Sequence, residues 1–252
     1  MLLRQNRRLR ALRIYNWSLP ALAGRLPDGR NVRVCPSAGV CASVCYARNG
    51  TFLWPVVKAR HTENLRLVLD EPDRWQQEML AELAKPRFDG AWVRLHDAGD
   101  FFSRDYLARW LEIMRARPQT RFYCYTKEVG LFRELVEPDP PANFWWVYSF
   151  GGQQDSMLDK ELDRVADVFP GEASIADAGW HSQAESDLLA VLGPGQVGIP
   201  ANNIARFKAR QNGRRWSDWQ AATDAARRRK LDRFAPVDGH GEPVAAPEPR
   251  GD

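Results

Sequence analysis

GAWVRLHDAGDFFSRDYLARWLEIMRARPQTRFYCYT, residues 90–126, holds a strand, a helix and the strand that follows. The apolar run after Gly90 has the length and composition of a buried strand, expected over about 91–96. Ser103 stands where a helix N-cap belongs, and Tyr106, Leu107, Trp110, Leu111 and Met114 recur at helical spacing until Pro118 stops the pattern. RFYCYT, 121–126, is rich in aromatic strand formers and reads as the next strand. Two parallel strands need a crossover between them, so this stretch implies a parallel sheet with a helix laid on its face.

The alternation continues outward from this unit. Downstream, EVGLFRELV reads as a short helix and NFWWVYSF, 143–150, as a strand; Ser156 opens a helix through Leu158, Leu162 and Val165, and EASIAD, 172–177, reads as a short strand. SQAE, 182–185, has the form of a capping box before DLLAVL, Gly193 ends that helix, and QVGIP is the last strand. Upstream, a first strand at about 31–35 and a helical region at about 54–84, broken near Pro72, complete six strand and helix units. The expected fold is α/β: a partial (β/α)6 TIM-like barrel of parallel strands with outer helices, plus C-terminal helices, with an open doubly wound sheet as the alternative. One domain is expected over residues 1–234, followed by a disordered tail at 235–252, APVDGHGEPVAAPEPRGD.

With 44% hydrophobic and 27% charged residues, the composition suits a globular chain with its own core. No run of eighteen or more apolar residues occurs, and arginines interrupt MLLRQNRRLRALRIYNW, so neither a membrane span nor a signal segment is expected and the location expected is cytoplasmic. The net charge is +4 and the pI about 9.0. The excess gathers at Arg4, Arg7, Arg8, Arg10 and Arg13 and again past residue 205, ending in Arg227, Arg228, Arg229 and Lys230. Such runs are either solvated faces or an electrostatic footprint for nucleic acid. Trp216 and Trp219, interleaved in NGRRWSDWQ, either dock a helix or stack on bases.

Three of the four cysteines, Cys35, Cys41 and Cys45, lie in CPSAGVCASVCYA, 35–47, directly after VRV and therefore at the carboxyl end of the expected first strand. In a reducing compartment such a cluster points to metal ligation or catalysis before disulfides. The C-x5-C-x3-C spacing lacks the paired C-x2-C knuckles usual for zinc, whereas iron–sulfur clusters tolerate irregular spacings. A [4Fe–4S] cluster on three thiolates leaves one iron open, the arrangement that reductive cleavage of S-adenosylmethionine requires. Small buried hydrophobes are the remaining alternative, disfavoured by Pro36, Ser37, Gly39 and Ser43 in the same loop. Cys124, alone in a strand, is either a core residue or a fourth ligand.

SLPALAG, CPSAGVCASVCYA, RLHDAGDFFSRDYLARWL and FYCYTKE together resemble the phage and actinobacterial family called gene product eighty-eight, over about residues 18–205. The resemblance implies a fold similar to radical-SAM-like partial barrels and a cluster held by Cys35, Cys41 and Cys45, and supplies no substrate. The cysteine spacing is wider than the C-x3-C-x2-C of radical-SAM enzymes, with Val44 before and Tyr46 after the last cysteine. By the same resemblance, Gly99 would let backbone approach the amino group of S-adenosylmethionine and Asp100 would accept its hydrogen bonds.

Other polar residues fall at expected strand ends. His96, Asp97 and Lys127 are the catalytic candidates, with Arg94 two residues before His96, and a buried polar network satisfying itself is the alternative for His96, Asp97 and Asp100; Ser149 and Asn202, the latter in GIPANN, are further cofactor-binding candidates; Asp177 and His181 end the expected fifth strand. No P-loop, dinucleotide fingerprint or zincin helix is present. The function expected is an iron–sulfur, radical-SAM-like enzyme with a nucleic-acid or nucleotide substrate and an electron-donor protein as partner. The alternative is a nucleic-acid-binding or regulatory protein with a structural zinc or iron–sulfur site.

Overall fold

The computed structural model describes residues 1–184 and 186–232. Its strands are β1 (Ile14–Trp17), β2 (Ala23–Arg25), β3 (Asn31–Arg33), β4 (Trp92–Leu95), β5 (Arg121–Thr126), β6 (Phe144–Ser149), β7 (Val165–Phe169), β8 (His181–Ser182) and β9 (Gln196–Pro200). The helices are α1 (Arg7–Arg10), α2 (Pro55–Asp70), α3 (Pro72–Leu83), α4 (Arg104–Ala116), α5 (Val129–Leu135), α6 (Glu172–Asp177), α7 (Leu189–Leu192), α8 (Ala205–Gln211) and α9 (Trp216–Asp232). Seven strands form one parallel sheet in the order β1-β4-β5-β6-β7-β9-β8. Apart from the exchange of β8 and β9 the strands advance in one direction, without the reversal that defines a doubly wound sheet. β1 and β8 stand at the two edges and do not pair with each other among the described residues.

Period-2 alternation gives the sheet two different faces. Helices cover one: Val93, Leu95, Phe122, Cys124, Phe144 and Tyr148 pack with Trp75, Trp110, Met114 and Phe132 from α3, α4 and α5. Trp17, Trp75 and Trp110 are wholly buried there, with ring centroids 5.2–6.2 Å apart. Each such side chain contributes about 1.5–3 kcal/mol of burial. On the other face Ile14, Trp92, Tyr123, Val147, Ala166 and Val197 form a smaller core closed by Leu9 of α1 and by Ala190 and Val191 of α7. Two residues further along the same strands stand Arg94, Tyr125, Ser149, Val168 and Ile199, and these line a cavity. The apolar floor and the cavity above it are successive layers of one face, at the carboxyl ends of the strands.

Several expectations are corrected. Residues 31–33 do not open the sheet: β3 pairs antiparallel with β2 as a hairpin, and the first sheet strand is IYNW at 14–17. The expected helix from Ser156 is a single 3-10 turn over Asp155–Met157, and Val165 begins β7. EASIAD is the helix α6, opened by Glu172. SQAE caps nothing: Ser182 belongs to β8 and its hydroxyl accepts from the Ala184 amide, the helix begins only at Leu189, and Glu185 lies outside the described residues. The 235–252 tail also lies outside them.

Candidate functional site

The cysteine loop is a series of short 3-10 turns, Val40–Val44, Tyr46–Arg48 and Gly50–Leu53, held from several sides. The Gly151 carbonyl, just past β6, accepts from the amides of Gly39 (3.1 Å) and Cys41 (3.2 Å). The Val40 amide donates to Gln220 Oε1 of α9 (2.8 Å). The Ser37 amide and hydroxyl donate to Glu128 at the end of β5 (2.9 and 2.7 Å). Asp167, wholly buried on β7, accepts from the Ser217 hydroxyl and amide and so seats α9 on the sheet.

Held in this way, Cys35, Cys41 and Cys45 line one cavity of about 510 Å³ together with the β4, β5 and β6 exits. Burial raises the ordinary pKa of all three thiols, and their mutual repulsion adds to it at Cys35 and Cys41; the Lys127 ammonium works against the shift at Cys41 and Cys45. Among the described residues no group of three or more His, Cys, Asp or Glu side chains is arranged to hold a metal ion. Three thiols, a soft donor type, stand on one loop lining one cavity, with the Lys127 ammonium near Cys41 and Cys45. Cys124 is on the opposite, helix-covered face of β5 and takes no part.

His96, Asp97, Gly99, Asp100, Lys127, Ser149 and Asn202 all line the same cavity. Lys127 Nζ donates to the Ser149 carbonyl (3.0 Å) and hydroxyl (2.8 Å) and lies 5.7 Å from the Trp216 ring centre. Asp100 has both oxygens committed inside the protein. Oδ1 accepts from the Phe101 amide and the Thr126 hydroxyl (2.8 Å each) and Oδ2 from the Lys127 amide (3.0 Å). Its burial raises its pKa against those bonds. Gly99 has a φ of +86°, and a Cβ there would stand 2.7 Å from Leu19 Cβ, so the turn requires glycine. Asp177 instead ends α6 and His181 lies exposed on β8; neither lines the cavity.

A buried polar network built on Arg94 and Asp97 lies above the apolar floor, and its members Asn16, Gln183 and Asp187 were not expected from the sequence. Arg94 pairs with Asp97 (3.1 Å) and with both oxygens of Asp187 (3.1 Å each), and its guanidinium lies over the Tyr125 ring. Asn16 donates to Asp97, Tyr123 to Asp187, and Gln183 to both Asp187 (2.7 Å) and the Tyr125 hydroxyl (2.6 Å). The Tyr46 hydroxyl reaches the Asp97 carbonyl at 2.5 Å and ties the cysteine loop to β4. Ser149 was already a candidate, and strand alternation from Arg94 could also have found Tyr125; Gln183 and Asp187, on a loop, carried no signal.

The sequence profile of the family described as Gene product 88 matches residues 1–231. A gene 88 protein of Mycobacterium phage L5 is 34% identical over 110 residues, covering 40% of this chain and 46% of that protein. A gene 88 protein of Mycobacterium phage D29 is 31% identical over 110 residues, covering 40% and 45%. The match thus spans about half the length of these curated relatives. No solved structure matches the chain. Among the described residues no helix is long and apolar enough to cross a membrane.

Proposed function

The chain belongs to the Gene product 88 family, and from that premise we propose that it is an iron–sulfur enzyme built on a radical-SAM-like partial barrel. In this reading Cys35, Cys41 and Cys45 hold a [4Fe–4S] cluster and the rest of the cavity binds a small substrate beside it. The observation that carries the proposal is the convergence of three thiols from one loop on the cavity at the strand exits. When bound, such a cluster supplies one-electron transfer and, at its iron without a protein ligand, a coordination position for a molecule such as S-adenosylmethionine.

The protein's own groups prepare this chemistry. Burial keeps the free thiols protonated, so ligation releases protons and loading strengthens as pH rises. Lys127, fixed by Ser149, offsets thiolate charge, and Gly99 permits close backbone approach by a ligand. Asp100, with its oxygens engaged internally, positions Lys127 and the β4 turn. Anaerobic purification with iron and sulfide analysis tests the proposal. Four irons and four sulfides per chain support it, and zinc, or no metal after reconstitution, overturns it. Cleavage of S-adenosylmethionine to 5′-deoxyadenosine by the reduced protein tests the cosubstrate separately, and an electron paramagnetic resonance spectrum indifferent to added S-adenosylmethionine excludes it. An electron-donor protein would supply the reducing equivalent.

A second reading, nucleic-acid binding around a structural metal site, is favoured by one observation. Arg227, Arg228, Arg229 and Lys230 form an exposed run on α9 with no ion pair to the described residues, and the same helix clamps the cysteine loop.

A further inference from the structure

The cysteine loop borders a second recess. Arg48, in the turn that follows Cys45, and Arg206 and Arg210 of α8 line a cavity of about 490 Å³, with Leu53 and Phe207 as its apolar wall. Cys45 lines this recess and the main cavity alike. The volume falls within the roughly 300–1,000 Å³ of small-molecule sites. The main cavity sets Asp97, Asp100 and Asp187 against its cations, whereas no Asp or Glu among the described residues lines the recess.

The arginines are gathered at a cost and held in place. Arg206 and Arg210, four positions apart, share one face of α8, a like-charge spacing that weakens a helix. Arg206 donates to Asn49 Oδ1, and Asn49 Nδ2 donates to the Cys45 carbonyl (3.1 Å). Arg210 Nη1 donates to the Ser43 carbonyl (3.1 Å). The Arg206 guanidinium also lies 5.2 Å from the Phe207 ring centre. None of the three arginines forms an ion pair among the described residues. Two guanidiniums are thus tethered to the cysteine loop and a third joins them from it, their mutual repulsion uncompensated until an anion enters.

Arginine offers a planar fork of donors that matches phosphate oxygens. Three such charges exceed the about −1.5 to −2 of one phosphate monoester near neutral pH, and they match two linked phosphates. We propose that this recess binds the diphosphate group of a small molecule, with Arg48, Arg206 and Arg210 on the phosphates and Leu53 and Phe207 against the remainder of the ligand. The site is separate from the ligand cavity proposed above and stands whether or not the thiols hold a metal.

Titration calorimetry of the full chain with inorganic pyrophosphate, at constant ionic strength and without divalent cations, tests this. The expected result is one saturable site, at least about tenfold tighter than for inorganic phosphate or sulfate. Arg48→Gln and Arg206→Gln should each lower the pyrophosphate affinity about tenfold, with far-UV circular dichroism unchanged. Arg48 is exposed, so Arg48→Gln keeps the test valid even if Arg206→Gln, which also loses its bond to Asn49, disturbs the loop. Changing Arg227, Arg228, Arg229 and Lys230 to glutamine should leave the affinity as it is, and so should Cys35→Ala, since these residues do not line the recess. No saturable binding, equal affinity for sulfate, or undiminished binding by Arg48→Gln overturns the proposal. Affinity lost in Cys35→Ala but kept in Arg48→Gln also overturns it, by placing the anion on a metal at the thiols. A single-stranded oligonucleotide without terminal phosphates that displaces pyrophosphate and binds more tightly overturns it as well, and assigns the recess to a nucleic-acid backbone.

Discussion

Cys124 and the three loop cysteines differ by the direction of a side chain. Cys124 stands between Tyr123 and Tyr125 on β5, and alternation turns it into the helix-covered core. Cys124→Ala should keep its full iron and lose about 1 kcal/mol to a small cavity, read as metal content and thermal midpoint. Cys35→Ala, Cys41→Ala and Cys45→Ala should each lose most of their iron; full retention in all three would refute the cluster. Glu128 gives a pH prediction. Its carboxyl is buried and, chiefly for that reason, its pKa is raised to about 7. A raised carboxyl pKa means the folded state holds the proton more tightly, so its contribution is present below the unfolded value near 4.5 and lost as pH rises through 7. Glu128→Gln should flatten that part of the stability profile, by an amount on the order of 1–3 kcal/mol at pH 8, measured as urea midpoints from pH 4 to 8. A parallel downward shift of the whole curve would show that Glu128 matters only through its bonds to Ser37.

At the scale of elements, α9 holds the cysteine loop from outside. A Cβ at Gly39 would intrude on the Gln220 carboxamide and come within 2.9 Å of the Gly151 carbonyl. Gly39→Ala and Gln220→Ala should therefore displace the loop and lower iron retention several-fold during dialysis, while far-UV circular dichroism stays unchanged. Equal retention by both would mean that the loop is rigid without α9. Elements with a one-sided composition or a clear cap were legible: RFYCYT, rich in aromatic strand formers, matches β5 residue for residue, and Ser103 caps α4 by accepting from the Tyr106 amide. Those with neither were not. EASIAD fits both a two-residue and a helical period over six positions, so Ile175 alone could not decide, and β7 was displaced into the neighbouring helix assignment. The β2–β3 hairpin did carry a signal, Asp28-Gly29 with Gly29 at a φ of +93°, between AGR and NVR. The cysteines and the β4 exit were readable as site residues because chemistry-bearing types clustered in sequence. Asp187 and Gln183 reach the cavity only through tertiary folding from a loop.

For the whole molecule, the charge distribution sets the partner test. Changing Arg227, Arg228, Arg229 and Lys230 to glutamine should weaken binding of a single-stranded oligonucleotide at low salt and reduce the slope of log affinity against log salt by up to about 3, leaving iron content intact. Unchanged affinity, or none in the parent protein, would leave this run a solvated face. Trp216 is accounted for otherwise, since it packs on Gly151 and lines the cavity. The hydrogen bond from the Val40 amide to Gln220 also fixes a schedule. Its partners lie 180 positions apart in the chain, an interval of on the order of ten to forty seconds at ribosomal speeds. Through that time the emerged thiols lack their clamp, so, on the proposed cluster, a nascent or truncated chain should be a poor acceptor of iron and insertion should follow completion of the chain.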